Sequence, residues 1–307
     1  DLLEFVFTAM ASLNLSPSPP TPFLQPRHNL YCIHSRSPNN RASSFVACSS
    51  LFASPPSSKE DAVKQAKVRL SSMLSKHLAS PRFSGKMKKL RQSRFQIEIP
   101  LMDDSTSSIC NLALDLLNFS LRKKDSLARS LILWPNTELS NAARRIFSPE
   151  SLTSHGTIDS VTYDSLRSAD FVLFSVPEES NLVSIRAVCE RISPKPALIL
   201  NPNWGEIAEL GQLKSFAESF NVIYAFSGLS VQGIFSTRNG MLFNSGEDED
   251  ERWAILVEEN GEMKMVSRFK SRPSMNEVSD VLYNAMAANS PFTKSAKFLK
   301  QLLDRKQ

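Results

Sequence analysis

The feature that most constrains the fold is a short apolar segment that stops at a proline. Residues 197–204 read ALILNPNW, and four apolar residues in a row suit a β-strand that is buried on both faces. Pro202 lacks a backbone donor and disfavours a helical conformation at Asn201, so the strand must end there with Asn201 extended. A helical pattern is then predicted from Glu206 to Phe220.

The same arrangement occurs twice upstream, in SLILWPN at 130–136 and in FVLFSVP at 171–177. Strands that end at Pro and are each followed by a helical pattern predict a parallel sheet with covered faces. A first strand is expected at 95–100. Asp103, Asp104 or Ser105 is expected to cap the next helix.

Between these strands, residues 148–168 are rich in loop-forming residues, and only a short edge strand around Ile158–Tyr163 is predicted there. His155 beside Gly156 is therefore interpreted as a loop histidine. After Phe226 the pattern changes to short alternating strands, with a hairpin turn at 259–261. The predicted fold class is thus α/β: a three-layer, open, mostly parallel, Rossmann-like sheet with an antiparallel C-terminal extension.

The N-terminal segment has a different composition. Residues 5–59 contain no Asp or Glu but are rich in Ser and Pro and carry three arginines, which is typical of an organelle transit peptide. Met10 is the expected start and cleavage is expected near Ala47, although an ordinary disordered tail is the alternative. The expected organisation is a disordered plastid transit peptide and linker (1–57), an N-terminal helix and basic arm (58–93), an α/β domain (94–290) and a basic amphipathic tail (291–307).

Charge divides the remainder into two parts. Residues 59–94 carry eleven Lys or Arg and two acids, whereas residues 95–307 carry 22 basic and 27 acidic residues. The densest basic cluster could bind an anionic membrane surface, an acidic protein or RNA, or could be a solvated connector. It comprises Arg82, Lys86, Lys88, Lys89, Arg91 and Arg94. No aromatic residues alternate with these cations, which weakens the case for single-stranded nucleic acid.

The motifs of common cofactor and catalytic sites are missing from the sequence. It contains no G-x-G-x-x-G, no G-x-x-x-x-G-K-[ST] and no G-x-S-x-G, so a dinucleotide site, a P-loop and a hydrolase nucleophile elbow have no support. No run of apolar residues is long enough for a transmembrane span. We therefore predict no metal, cofactor or transmembrane segment and assign no catalytic residue. Catalysis by carboxylates or Lys stays open, because these residues leave no spacing signature.

The carboxyl ends of the predicted parallel strands carry polar residues. Ligands of open α/β sheets bind at this edge, so the candidate ligand-binding residues are Asn136, Asn201, Asn203 and Trp204. Glu178 and Glu179 follow another strand and are interpreted as helix-capping residues. The alternative for the candidates is structural, because Asn caps turns and Trp covers sheet ends.

Three stretches follow one another in the sequence: DAVKQAKVRL at 61–70, RFQIEIP at 94–100 and LNPNW at 200–204, supported later by 224–228 and by WAIL at 253–256. In this order they resemble the DUF1995 family of plants and cyanobacteria. The resemblance spans about residues 58–290. The family includes the low photosystem II accumulation 3 protein, which is a chloroplast assembly factor, and the C-terminal part of a plastid adenylate kinase. The catalytic P-loop domain of that kinase has no counterpart here.

The resemblance implies a non-enzymatic protein that assists assembly or maintenance of the photosynthetic apparatus. The expected partner is a protein of a photosystem or another plastid complex, and the expected location is the chloroplast stroma with peripheral contact to the thylakoid. Two alternatives stay open. One is a small-molecule or nucleotide-binding enzyme or sensor that uses the carboxyl ends of the strands, and the other is plastid RNA binding through the basic arm.

Overall fold

The computed structural model describes residues 55–79, 92–101, 103–123, 126–148, 151–204, 207, 210–232, 237–244, 246, 252–259 and 262–288. The helices are α1 Lys59–Ala79, α2 Thr106–Leu117, α3 Thr137–Ile146, α4 Tyr163–Ser168, α5 Leu182–Ile192, α6 Lys214–Ala217 and α7 Met275–Ala288. The strands are β1 Arg94–Glu98, β2 Arg122–Lys123, β3 Ser126–Leu127, β4 Ser130–Trp134, β5 Thr153–Thr157, β6 Phe171–Ser175, β7 Ala197–Leu200, β8 Asn221–Gln232, β9 Thr237–Asn244, β10 Trp253–Glu259 and β11 Glu262–Phe269.

Nine of these strands form one sheet in the order β11-β10-β9-β8-β1-β7-β6-β4-β5. The six strands from β8 to β5 pair in parallel, whereas β8 to β11 pair as antiparallel neighbours. Strands β4, β6 and β7 are buried at every position, as expected for parallel strands covered on both faces. The predicted fold class is confirmed.

Helices cover both faces of the sheet. The first face packs against α1, α2 and α3, and α1 contributes a buried stripe at helical spacing that includes Ala62, Ala66 and Leu70. The second face packs against α4, α5 and α6 beside the parallel strands, and against α7 beside the antiparallel extension. Cys110 and Cys189 are buried free thiols within these layers.

Three local predictions were wrong. The edge strand lies at β5 rather than at Ile158–Tyr163, and α4 was not predicted. The strand after residue 220 was expected to end at Phe226, with Ser227 and Gly228 at the carboxyl edge of the sheet, but β8 continues to Gln232 and both residues pair with β9. Among the described residues of 206–220, helical structure is limited to Ile207, Gly211–Leu213 and α6. It is interrupted because Gly211 has a φ of +55°, which no continuous right-handed helix contains.

Other predicted features lie outside the described residues. They are the transit peptide with its processing site, the basic cluster except for Arg94, the turn residues 260–261 and the tail 291–307. Within the part of the chain that the structure describes, no helix is long and apolar enough to cross a membrane.

Candidate functional site

The carboxyl ends of the parallel strands form one edge of the sheet, here called the carboxyl edge. The chain leaves neighbouring strands of this edge toward opposite faces at three points, between β1 and β7, between β6 and β4 and between β4 and β5. From β1 it continues into α2 on the first face, and from β7 into α6 on the second. The same divergence separates β4, followed by α3, from β6, followed by α5. Such divergence points are where open α/β sheets place ligands.

The divergence point between β1 and β7 is closed by the side chain of Asn201. Its Oδ1 accepts a hydrogen bond from the Ile99 backbone N–H at 2.7 Å, and its Nδ2 donates to the Ile99 carbonyl at 2.6 Å. Asn201 has a φ of +48°, which corrects the extended conformation predicted from the following proline. Asn tolerates this left-handed region better than most residues. Its side chain therefore extends the β1–β7 pairing beyond the strand ends.

At the neighbouring end of β6, the backbone also adopts a left-handed conformation, and its N–H is also hydrogen-bonded to another backbone group. Val176 has a φ of +43°, which is unusual for a β-branched residue, and its N–H donates to the Leu200 carbonyl at 2.8 Å. Glu178 and Asn181 form a reciprocal capping box, which confirms the capping role predicted for Glu178. These contacts hold the β6–α5 turn in a defined conformation.

The four predicted ligand-binding residues do not form one cluster of free groups. Asn136 caps α3, because its Oδ1 accepts from the Leu139 N–H at 2.9 Å. Since β6 lies between β4 and β7, Asn136 and Asn201 follow strands about 10 Å apart. Trp204 is partly buried against the core of the second face. Asn203 is exposed, and its backbone N–H donates to the Pro177 carbonyl at 2.8 Å.

Arg94 is the only member of the predicted anionic-surface cluster within the described residues, and it contacts the folded domain. Its Nη1 donates to the Ser219 hydroxyl at 2.8 Å. Its guanidinium lies 4.9 Å from the centre of the Phe216 ring and 5.9 Å from that of Phe220, in the range of cation–π contacts. Arg94 thus packs the start of β1 onto the second face.

A cavity of about 210 Å³ opens beside the outermost parallel strand, β5. One wall is a single face of α3, formed by Thr137, Ser140, Asn141 and Arg144. These residues recur at intervals of three and four, so they share one helical face. We call this space the edge cavity.

The opposite wall follows the chain from β5 into α4. It includes Thr157 at the end of β5, Ser160 in the loop, and Thr162 and Ser165 at the start of α4. Thr162 caps that helix and its hydroxyl lies 2.9 Å from the Ser165 hydroxyl. The two walls together therefore present mostly hydroxyl groups.

Arg144 supplies the positive charge of the edge cavity. Its Nη2 donates to the His155 carbonyl at 3.0 Å, which holds the guanidinium against β5. Ser140 contributes a different kind of group. The residue is only 3% exposed, and its side chain lines the cavity.

His155 lies beneath the cavity and corrects its interpretation as a loop histidine. It belongs to β5, its ring lies 4.5 Å from that of Phe147, and its Nδ1 accepts from the Trp134 indole N–H at 3.3 Å. An indole only donates, so Nδ1 carries no proton and Nε2 does. Within the described chain, Nε2 is buried without a partner. Desolvation, followed by the nearby charge of Arg144, lowers the pKa of His155 to about 4.

The remaining reactive side chains are packed in the core or at its margin. Burial raises the pKa of the Cys110 thiol to about 11 and, as the largest effect, that of Cys189 to about 12, so both are poor nucleophiles at neutral pH. His77 contacts the Ser93 hydroxyl through Nδ1 at 3.0 Å. Among the residues described, no three His, Cys, Asp or Glu side chains converge to hold a metal.

Sequence reasoning did not predict the edge cavity, although one signal was available. The polar residues of α3 recur at helical spacing and so share one face of a helix, and this helix directly follows the end of a strand. The opposite wall could not be predicted, because it depends on β5 and α4, which the loop-like composition of 148–168 concealed.

Comparisons with known proteins agree with the resemblance found in the sequence. A family described as "Domain of unknown function (DUF1995)" matches residues 56–280. No curated protein matches significantly. Among solved structures, the UvsW helicase from bacteriophage T4 is 12% identical with a TM-score of 0.27, covering 42% of this chain and 53% of that chain. The matched region is thus about half of that helicase, and so weak a likeness says nothing about function. Because the family match spans most of the sequence, this protein belongs to the DUF1995 family.

Proposed function

We propose that this protein is a non-catalytic chloroplast protein that assists assembly or maintenance of the photosynthetic apparatus. Membership of the DUF1995 family supports the proposal, because the resemblance in the sequence implies that this family includes a photosystem II assembly factor. The acid-free, Ser- and Pro-rich composition of residues 5–59 supports import into a plastid.

The proposal that the protein is non-catalytic rests on the geometry of the carboxyl edge. The polar side chains there hold backbone groups: Asn201 binds both the N–H and the carbonyl of Ile99, and Asn136 caps α3. Glu178, the best-placed carboxylate for acid–base chemistry, takes part in a capping box. Polar side chains that are already hydrogen-bonded in this way favour the role of a rigid binding scaffold over that of an enzyme.

In this proposal, the basic arm gives peripheral attachment to anionic thylakoid lipid or to an acidic partner. The folded domain does not supply this charge, since residues 95–307 carry more acids than bases. Such attachment is electrostatic and should weaken as salt screens the charges.

The first test is fractionation of chloroplasts that carry the tagged full-length chain, with a salt wash and identification of co-purified proteins. We expect thylakoid association that salt releases, together with photosystem subunits. A variant with Arg82, Lys86, Lys88, Lys89 and Arg91 changed to Gln should shift to the stroma. Arg94 is left unchanged because it packs on Phe216.

The matched control removes five exposed cations of the folded domain instead. They are Lys64, Arg122, Arg129, Arg167 and Arg191, each changed to Gln. This control should stay on the thylakoid. Equal release of both variants would contradict attachment through the arm, and normal photosystem II accumulation in a complete knockout would contradict the assembly role. Retention that nuclease abolishes would favour the RNA-binding alternative.

A second candidate is a soluble ligand held at the carboxyl edge by Asn136, Asn201, Asn203 and Trp204. It is favoured by the exposure of Asn203 beside the partly buried indole of Trp204. A nucleotide and sugar-phosphate panel should then quench tryptophan fluorescence, and Asn203→Ala should abolish the quenching. A panel without effect would leave these residues with structural roles alone.

A further inference from the structure

We propose that the edge cavity between α3 and β5 is a binding site for a small oxyanion, either inorganic phosphate or the phosphate group of a small monoester. This inference is independent of the proposed function, because it rests on a different part of the sheet. Its residues are not among those predicted from the sequence to bind a ligand.

The walls of the cavity offer the groups that phosphate requires. Arg144 presents a planar guanidinium, which matches phosphate geometry with two parallel N–H donors. One of its nitrogens is held by the His155 carbonyl at 3.0 Å, so the group is positioned before any ligand arrives. Hydroxyls from both walls can donate to the remaining oxygens.

Two side chains indicate that the space is suited to a polar occupant. His155 lines the cavity, and its protonated Nε2 is buried without a partner within the described chain. The Ser140 hydroxyl also belongs to the wall of the cavity. A buried donor without a partner is costly, and an oxyanion oxygen would accept from it.

The charge around the cavity selects an anion over a cation. No acidic residue is among those that line it, and the acids of the flanking segments, Glu138, Asp159 and Asp164, lie outside its wall. His155 is neutral near pH 7, so Arg144 is the main charge. The cavity would thus oppose a metal ion and attract an anion.

Size limits the ligand further. Sites for drug-sized molecules occupy roughly 300–1,000 Å³, whereas the edge cavity measures about 210 Å³. It is also partly open, so a phosphate group can be held inside while the rest of a small monoester points to solvent. A large nucleotide does not fit entirely within it.

The test is isothermal titration of the full chain with inorganic phosphate at constant ionic strength. We expect saturation at one site per chain. Arg144→Gln should weaken binding by about tenfold or more, and Ser140→Ala by about threefold to tenfold, since a typical hydrogen bond contributes about the smaller factor and a charge-assisted one contributes more. Glycerol 3-phosphate should compete with inorganic phosphate for the same site.

Arg145→Gln is the matched control. Arg145 is the next residue of the same helix and equally exposed, but it does not line the cavity and its Nε donates to the Asn141 carbonyl at 3.4 Å. Binding should change by less than about twofold. The proposal is overturned if the native chain shows no saturable binding, if Arg145→Gln weakens binding as much as Arg144→Gln, or if neither cavity variant has an effect. Thermal melts of each variant would identify any loss of folding. If Arg144→Gln does not fold, the effect of Ser140→Ala on phosphate binding decides the test.

Discussion

The carboxyl ends of β7 and β5 belong to the same sheet edge but differ in whether their polar side chains are hydrogen-bonded within the protein. At β7, both ends of the Asn201 amide are bound by the Ile99 backbone. At β5, the edge cavity is lined by hydroxyls and Arg144, and the buried Nε2 of His155 has no partner in the described chain. The first end is closed by its own backbone, whereas the second leaves hydrogen-bonding capacity unused.

The difference teaches that a polar residue at a strand end does not by itself mark a site. A satisfied amide contributes to stability and is not available to a ligand, while an unsatisfied polar group does not stabilise the fold and can bind one. The two regions should therefore respond differently to mutation, and the following experiments measure that difference.

The largest loss is expected from Asn201→Ala. The substitution removes two short hydrogen bonds and leaves Ala, which tolerates the left-handed region less well than Asn, at a φ of +48°. We expect the free energy of unfolding to fall by about 2–4 kcal/mol, measured by chemical denaturation. Asn201→Gly loses the same bonds but accepts the backbone, so it should be about 1 kcal/mol milder. A loss below 0.5 kcal/mol in both variants would mean that the amide does not hold the two strands together.

His155 should make the β5 region sensitive to acid. Its pKa of about 4 in the folded chain lies below the usual 6.5, so the unfolded chain takes up a proton first as the pH falls. Its contribution is fully present above about pH 6.5 and is lost progressively toward pH 4. We expect a loss of roughly 2 kcal/mol over this range after allowing for partial exposure.

His155→Asn is the control for this pH dependence. Its amide oxygen can still accept from the Trp134 indole, but the side chain does not titrate. The variant should be less stable at pH 7 and should lose less stability on acidification. An identical slope between pH 6.5 and pH 4 in both proteins would assign the effect to other groups, such as His77, whose pKa is also lowered by burial and then by Lys76.

Asn136→Ala tests the capping role at the start of α3. Losing the bond to the Leu139 N–H should lower the free energy of unfolding by about 1 kcal/mol. Asn136→Asp keeps an acceptor at this position and should be close to neutral. If Asn136→Ala instead leaves stability unchanged, the side chain is available for the ligand-binding role predicted from the sequence.

The smallest effect is expected from Ser140→Ala, one turn along the same helix. Because the hydroxyl lines the edge cavity and Ala favours helix more than Ser, stability should change by less than about 0.5 kcal/mol. A thermal melt without phosphate measures this directly. A loss above 1 kcal/mol would place the hydroxyl in a structural role and weaken the contrast between the two strand ends.

The strongest sequence signals in this chain were those that depend on one segment alone. Apolar runs that end at Pro predicted β4, β6 and β7, and the alternating segments predicted the antiparallel extension. The pattern failed at β5, whose residues, Thr-Ser-His-Gly-Thr, carry no apolar alternation. That strand forms because its backbone pairs with β4 from Ser130 to Trp134, and such a partner is not visible in local composition.

By itself, the sequence determined the layers of the sheet, the capping of its helices and the separation of a basic arm from an acidic domain. These follow from local periodicity and charge, which need no knowledge of distant residues. The tertiary structure alone decided which polar groups are used. Asn201 is satisfied by Ile99, 102 residues earlier in the chain, and the edge cavity exists because α3 and the segment after β5 face each other. Whether a polar side chain closes a strand end or faces a cavity depends on these long-range contacts, since hydrogen bonding is settled only by the atoms that folding brings within reach.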